Sequence, residues 1–123
     1  MKILSKVILV AGIGILFASC RKEGLGGRAS VSGFVKHHAM VVPHAVVYIK
    51  YGATEFPGEE VAIYDASTVA DANAKYEFTN LQKGDYYLYA TAFDTLNMQS
   101  LNGGIGIVLK KTEAKITDVP ISE

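Results

Sequence analysis

The sequence predicts an all-β protein, an antiparallel β-sandwich of seven short strands, and three observations carry that prediction. From Ala29 onward apolar and polar residues alternate with a period of two, which turns one side of each segment inward. Turn-forming clusters interrupt these runs at close intervals, as they do in all-β sandwiches. No segment carries the spacing of an amphipathic helix, and no internal repeat is visible.

The strands are justified in order. Val31, Gly33 and Val35 alternate with Ser32, Phe34 and Lys36. Ala45 to Tyr51 is a β-branched and aromatic run closed by Gly52, the composition of a strand and a turn. Val61 to Tyr64 is a third, shorter run. Lys75 to Thr79 sets Tyr76 and Phe78 on one face and two charges on the other. Tyr86 to Phe93 is the longest strand, with Leu88, Ala90 and Ala92 on the side of Tyr86. Ile105–Leu109 and Ala114–Val119 complete the set, and Asp94 to Leu101 is expected to be a loop. Between them lie Pro43, Pro57-Gly58, Asp71 to Asn73, Lys83 to Asp85, Asn102 to Gly104 and Lys111 to Glu113.

The N-terminus has a different character. Two lysines precede an uncharged run from Val7 to Ser19, and Cys20 follows. At 13 residues the run falls short of the roughly 20 that span a bilayer. A basic start, a short apolar centre and small residues before a cut make a secretory signal. Leu16-Phe17-Ala18-Ser19-Cys20 resembles a bacterial lipobox, with Phe17 where Leu is commoner. The resemblance implies cleavage before Cys20 and lipidation of its thiol, so residues 1–19 are expected to be the signal peptide. Residues 20–28 are expected to form the lipidated cysteine and a flexible tether, because Arg21 to Arg28 is charged and glycine-rich. The sandwich domain then spans 29–123. Arg21 in place of an aspartate, by resemblance to proteobacterial sorting, favours the outer membrane; the face, periplasmic or surface, stays open.

Twelve Lys and Arg balance twelve Asp and Glu. Loss of residues 1–19 removes Lys2 and Lys6, leaving 104 residues and a net charge of −2. That length suits one domain. A near-neutral chain without a basic block has no electrostatic footprint for nucleic acid. Cys20 is the sole cysteine, so an apolar core without disulfides must hold the domain.

Three segments resemble a known pattern: Val31-Ser-Gly-Phe-Val, Pro43-His-Ala-Val-Val-Tyr-Ile, and Asp71-Ala-Asn-Ala-Lys-Tyr-Glu-Phe-Thr-Asn-Leu-Gln-Lys-Gly-Asp-Tyr-Tyr-Leu. Together they are similar to the carboxypeptidase regulatory-like and Cna B-type modules, whose fold is a transthyretin-like (prealbumin-like) Greek-key sandwich. The resemblance covers about residues 29–93. It departs at Ala74, where the family usually has Gly, and Asn73 is expected to take up the positive φ instead. It also turns the side of Tyr86 inward, where the hydroxyl needs a buried partner. Such modules are usually accessories or spacers, and no catalytic residues travel with the motif.

Candidate chemistry is sparse. Adjacent His37 and His38 point to opposite faces of a strand and His44 follows Pro43, so the three are expected at loops or edges with no metal between them. A related hydrolase of this fold ends in Tyr-Arg-Gly-Ser, whereas this chain ends Val119-Pro-Ile-Ser-Glu123. An isopeptide crosslink could use Lys36 or Lys50 with Asn80, but no carboxylate is placed to assist. Asp65, Asp71 and Asn73 with Glu59-Glu60 could hold calcium at the loop end, against a simpler reading in which Asp71 and Asn73 cap their own turn. No nucleophile, base and orienting group converge, so the chain is expected to be no enzyme and to need no cofactor.

The better lead is aromatic. Tyr87, Tyr89 and Phe93 face opposite to Tyr86 and form a candidate partner-binding strip, with cross-strand pairing or cover from the 94–104 loop as the plainer reading. The expectation is a lipid-anchored cell-envelope module with a non-enzymatic adhesion, assembly or accessory role. The alternative is a small glycan- or peptide-binding lipoprotein of an uptake complex. Its partners would be the membrane, through Cys20, and an envelope protein or glycan.

Overall fold

In the computed structural model residues 22–123 are described, and they form two sheets facing each other across one apolar core. Nine strands are present among them: β1 Leu25–His37, β2 Met40–Val41, β3 Val46–Tyr51, β4 Ala66–Val69, β5 Lys75–Leu81, β6 Gly84–Asp94, β7 Gln99–Leu109, β8 Ala114–Ile116 and β9 Val119–Pro120. One sheet has the order β4-β3-β6-β7; the other joins β2, β5, β8 and β9 around β1. The all-β reading therefore stands, with two additions to the expected seven antiparallel strands. The short β2 returns along β1, and the final segment breaks into β8 and β9, which pair with β1 in parallel. The parallel sense follows from the path. The chain leaves the lower end of β7, crosses to the other sheet and climbs beside β1 in the same direction.

Period-two alternation builds the core. Val31 and Val35 from β1, Val47 and Ile49 from β3, Tyr76 and Leu81 from β5, and Tyr86, Leu88 and Ala90 from β6 are all buried. Lys75 and Glu77 remain exposed beside Tyr76, as the alternation requires. Val119 and Ile121 close the core from the C-terminal segment, which also bridges to the other sheet through Ser122 and Asn102.

Three boundaries differ from expectation. β1 begins at Leu25, and its first residues pair with Leu81, so the segment read as a tether is strand from Leu25 to Arg28. Main-chain pairing orders these glycines without help from an apolar face. The loop expected over Asp94 to Leu101 shrinks to a turn at 95–98, since β6 and β7 pair from Asp94↔Gln99 down to Gly84↔Leu109. The hairpin turn is held by the Asp94 carboxylate, which accepts from Leu96 N (3.0 Å), Asn97 N (3.3 Å) and Asn97 Nδ2 (2.8 Å). The third strand is Ala66–Val69, whereas Val61–Ile63 is a 3₁₀ turn in a long connection from β3. Cys20 and residues 1–19, with the expected signal and lipidation, lie outside the described residues.

Candidate functional site

The outer face of the β4-β3-β6-β7 sheet carries an aromatic layer. Tyr87 and Tyr89 point to it from β6 and Tyr48 from β3, placed by the register Tyr48↔Tyr89. The expected strip is nevertheless not open. Tyr87 is 9 % and Tyr89 3 % exposed, while Phe93, nearer the hairpin turn, is 53 % exposed. The cover comes from the 52–65 connection and not from the 94–104 segment. Phe56 lies 5.9 Å from Tyr87 and 5.4 Å from Tyr89 between ring centroids, and Tyr64 stacks on Tyr89 at 5.5 Å with planes 14° apart. Tyr48 sits 5.7 Å from Tyr64. These are distances at which aromatic pairs attract.

Small residues in β7 make room for this lid. A Cβ on Gly106 would meet the Thr54 carbonyl oxygen at 2.0 Å, and one on Gly104 would meet the Tyr87 ring at 2.6 Å. Thus Gly104 and Gly106 let one tyrosine and the lid backbone lie flat on the sheet, whereas Gly103 makes room for the Pro120 carbonyl of the C-terminal segment. The lid is braced by one bond within itself and tied to β3 by two at Asp65, and at its other end Gly52 N donates to Asp85 O (2.8 Å). Tyr64 Oη donates to Gly58 O (2.8 Å), Asp65 Oδ2 accepts from Tyr51 N (2.7 Å), and Asp65 N donates to Ile49 O (2.9 Å).

Burial pushes the Tyr64 phenol up to about 12, helped by its tyrosine neighbours. Burial likewise raises Tyr87 and Tyr89, the latter also feeling the charge of Glu59. All three phenols are therefore neutral at physiological pH. Their chemistry is that of apolar rings with hydroxyl tips, suited to contact and hydrogen bonding. Phe56 (51 % exposed), Val61 and Ile63 are exposed on the same lid, so the surface above the tyrosines sets apolar side chains beside the exposed acids Glu55, Glu59 and Glu60.

The other candidates disperse. His37 closes β1, while His38 and His44 occupy turn positions with φ of 58° and 62°. Among the described residues no three His, Cys, Asp or Glu side chains gather as a ligand set. His37 Nε2 comes within 3.0 Å of Glu123 Oε2 but is misaligned for a hydrogen bond. The proposed calcium residues are divided: Asp65 serves the lower end of β3, whereas Asp71 is near His44 at the upper end. Asp71 caps its own turn, its Oδ1 accepting from Asn73 N (2.8 Å) and Lys75 N (3.0 Å). In that turn Ala74, not Asn73, holds the positive φ of 67°. Lys36 and Lys50 face Asp118 (3.1 Å) and Asp65 (3.7 Å), and neither faces Asn80. An open depression of about 600 Å³ lies where the sheets join, lined by Lys36, His38, Gly103, Asp118 and Ser122. Its charged pair is mutually satisfied and exposed, and it does not reach the tyrosine layer.

Phe56, Tyr64 and Tyr48 are the aromatic site residues missed from sequence, Tyr48 because it reads only as part of the β3 run. Phe56-Pro57-Gly58 reads as a turn, and Tyr64 falls in a run resembling a strand. An aromatic just before Pro-Gly, opposite a glycine-rich strand, was the available signal.

Fold and site together define a two-sheet β-protein with a lidded tyrosine layer on one outer face. No family model matches the chain, and no curated protein matches it. Among solved structures, a Pseudomonas aeruginosa protein described as a "putative carbohydrate binding protein" aligns over 85 % of this chain and 93 % of its own, with 13 % identity and a TM-score of 0.49. A likeness that distant says nothing about what this chain binds.

Proposed function

We propose that this chain is a non-catalytic accessory or assembly module of a bacterial cell envelope, anchored through lipidated Cys20, that contacts a protein partner through the lid of its tyrosine layer. The observation that carries the reading is the outward display of Phe56, Val61 and Ile63 on one pinned loop. Exposed apolar side chains held on a rigid support are what protein interfaces use. The fold reading in this proposal is the transthyretin-like class of regulatory-like and Cna B-type modules. The orders β4-β3-β6-β7 and β5-β1-β8/β9 support it, as does the Asp71-capped turn leading into Tyr76 and Phe78.

A second reading, a glycan or peptide binder, is favoured by the phenols of Tyr48, Tyr87 and Tyr89. None of these hydroxyls donates to a described residue, and none is sealed from water.

The test places a photocrosslinking amino acid at Val61, and separately at Ile116 on the other sheet, in the native host. One reproducible protein adduct from Val61, absent from Ile116 and lost with Phe56→Ser, supports the assembly reading. Equal adducts from both positions overturn it. No adduct, with binding on a glycan array that Tyr87→Ser and Tyr89→Ser abolish, transfers the assignment to the second reading.

A further inference from the structure

The connection between Cys20 and the folded domain is much shorter than a 20–28 tether. Glu23 Oε2 accepts from Asp85 N (3.0 Å), Gly24 N donates to Tyr86 Oη (2.9 Å), and Gln82 N donates to Gly24 O (2.7 Å). The Glu23 side chain packs where a Cβ on Gly84 would sit. Only Arg21 and Lys22 separate Cys20 from this clamp. Three Cα steps of about 3.8 Å reach no more than about 11 Å, close to the Debye length of roughly 8 Å at physiological salt. A lipid on Cys20 therefore brings this end of the sandwich within electrostatic range of the bilayer.

The charges at that end have the sign to use this proximity. Lys22 adjoins the clamp, Lys83 precedes Gly84, and Lys110-Lys111 follow Leu109, which pairs with Gly84. All four are exposed, and none is in an ion pair among the described residues. Of the acids there, Glu23 is engaged by Asp85 N, and Glu113 accepts from Lys110 N (3.0 Å) and faces Lys115 (3.7 Å). Asp85 alone is open. With Lys115 and the mutually paired Lys50 and Asp65 (3.7 Å) counted, six cations meet four acids, a local +2. Residues 22–123 together hold nine cations against twelve acids, a net −3. The acids of the lid follow Thr54 onto the sheet face, with Glu59 near Tyr89. Asp71 and Asp94 cap turns at the far end.

We infer that the domain rests on the membrane by this end, with Lys22, Lys83, Lys110 and Lys111 on anionic phospholipid headgroups and exposed Leu25 at the interface. The inference rests on the anchoring reading of Cys20. Acyl chains supply the attachment and the basic end supplies orientation, which holds the sandwich upright and makes the tyrosine lid face sideways, its surface standing across the plane of the bilayer.

Cys20 is the only cysteine, so once its sulfur is a thioether an introduced cysteine is the sole reactive thiol. The full chain, processed in cells, is purified with Thr112→Cys (basic end) or Asn73→Cys (far end), labelled with a fluorophore and reconstituted into phosphatidylcholine vesicles with or without phosphatidylglycerol. Headgroup-nitroxide lipid should quench the Thr112 label several-fold more than the Asn73 label in the anionic vesicles. Lys83→Glu with Lys110→Glu and Lys111→Glu should erase the difference while the protein stays on the vesicles. Equal quenching at both positions, or quenching indifferent to charge reversal, overturns the seating alone. A Cys20 thiol that reacts freely overturns the anchor, and the seating with it.

Discussion

At Tyr86 one buried hydroxyl accepts from Gly24 N (2.9 Å) and donates to Gln82 O (2.6 Å). Tyr86→Phe keeps the ring and leaves the buried Gly24 N–H without a partner, a cost of about 1–3 kcal/mol. In a domain of this size each kcal/mol lowers Tm by about 4–8 °C; an unchanged melt would mean that the clamp carries no stability. The alkaline limb tests a second residue. Tyr64 is raised from 10.0 to about 12, so above pH 10 the unfolded chain loses a proton that the fold retains. The unfolded state then binds fewer protons, and stability falls as pH rises from about 10 to about 12, by at most about 1.4 kcal/mol per pH unit for one group and by less here because Tyr64 is partly exposed. Tyr64→Phe should flatten the decline of the urea midpoint over that range. It also loses the bond to Gly58 O, but that loss shifts every pH equally, so parallel curves for the two proteins would sink the assignment. The need of Tyr86 for a partner was legible in the sequence. The partner was not, because Lys22 to Arg28 has no apolar alternation and the order from Glu23 on comes from bonds to residues about sixty positions away.

Strands β5 and β6, which lie in opposite sheets, and the turn between them could be read directly, since Tyr76, Phe78, Tyr86 and Leu88 alternate cleanly with polar residues or faces. The lid could not. Val61-Ala-Ile-Tyr64 has strand composition, yet the register of β3 places Ala66 to Val69 on its edge, and the displaced run becomes a 3₁₀ turn under which the tyrosines are buried. What decides between these is the space left by Gly104 and Gly106 on another strand, a property no local pattern reports. Gly106→Val should lift the lid, since its side chain would occupy the position of the Thr54 carbonyl. Amide exchange over residues 53–64 should then accelerate strongly while β1 and β5 stay protected. Unchanged exchange in the lid would show that it does not depend on the glycine gap.

The two sheets are joined at the molecular scale by the last five residues. Val119 pairs with Val35 on one sheet, Ser122 exchanges two 2.9 Å main-chain bonds with Asn102 on the other, and Val119 and Ile121 are buried between them. The sequence presents this segment as a strand end and a short tail. Its role as a clasp depends on a crossing between sheets that alternation cannot encode. Burial of an aliphatic side chain contributes about 1.5–3 kcal/mol, so removing both costs about 3–6 kcal/mol, a large part of the roughly 5–15 kcal/mol that holds a typical domain together. No disulfide is present to compensate, because Cys20 has no second cysteine to pair with. Truncation after Asp118 should therefore abolish the cooperative thermal transition or lower it by tens of degrees. Truncation of exposed Glu123 alone should move it little. If the chain ending at Asp118 melts within a few degrees of the intact protein, the sheets are held by their facing side chains alone and the clasp is incidental.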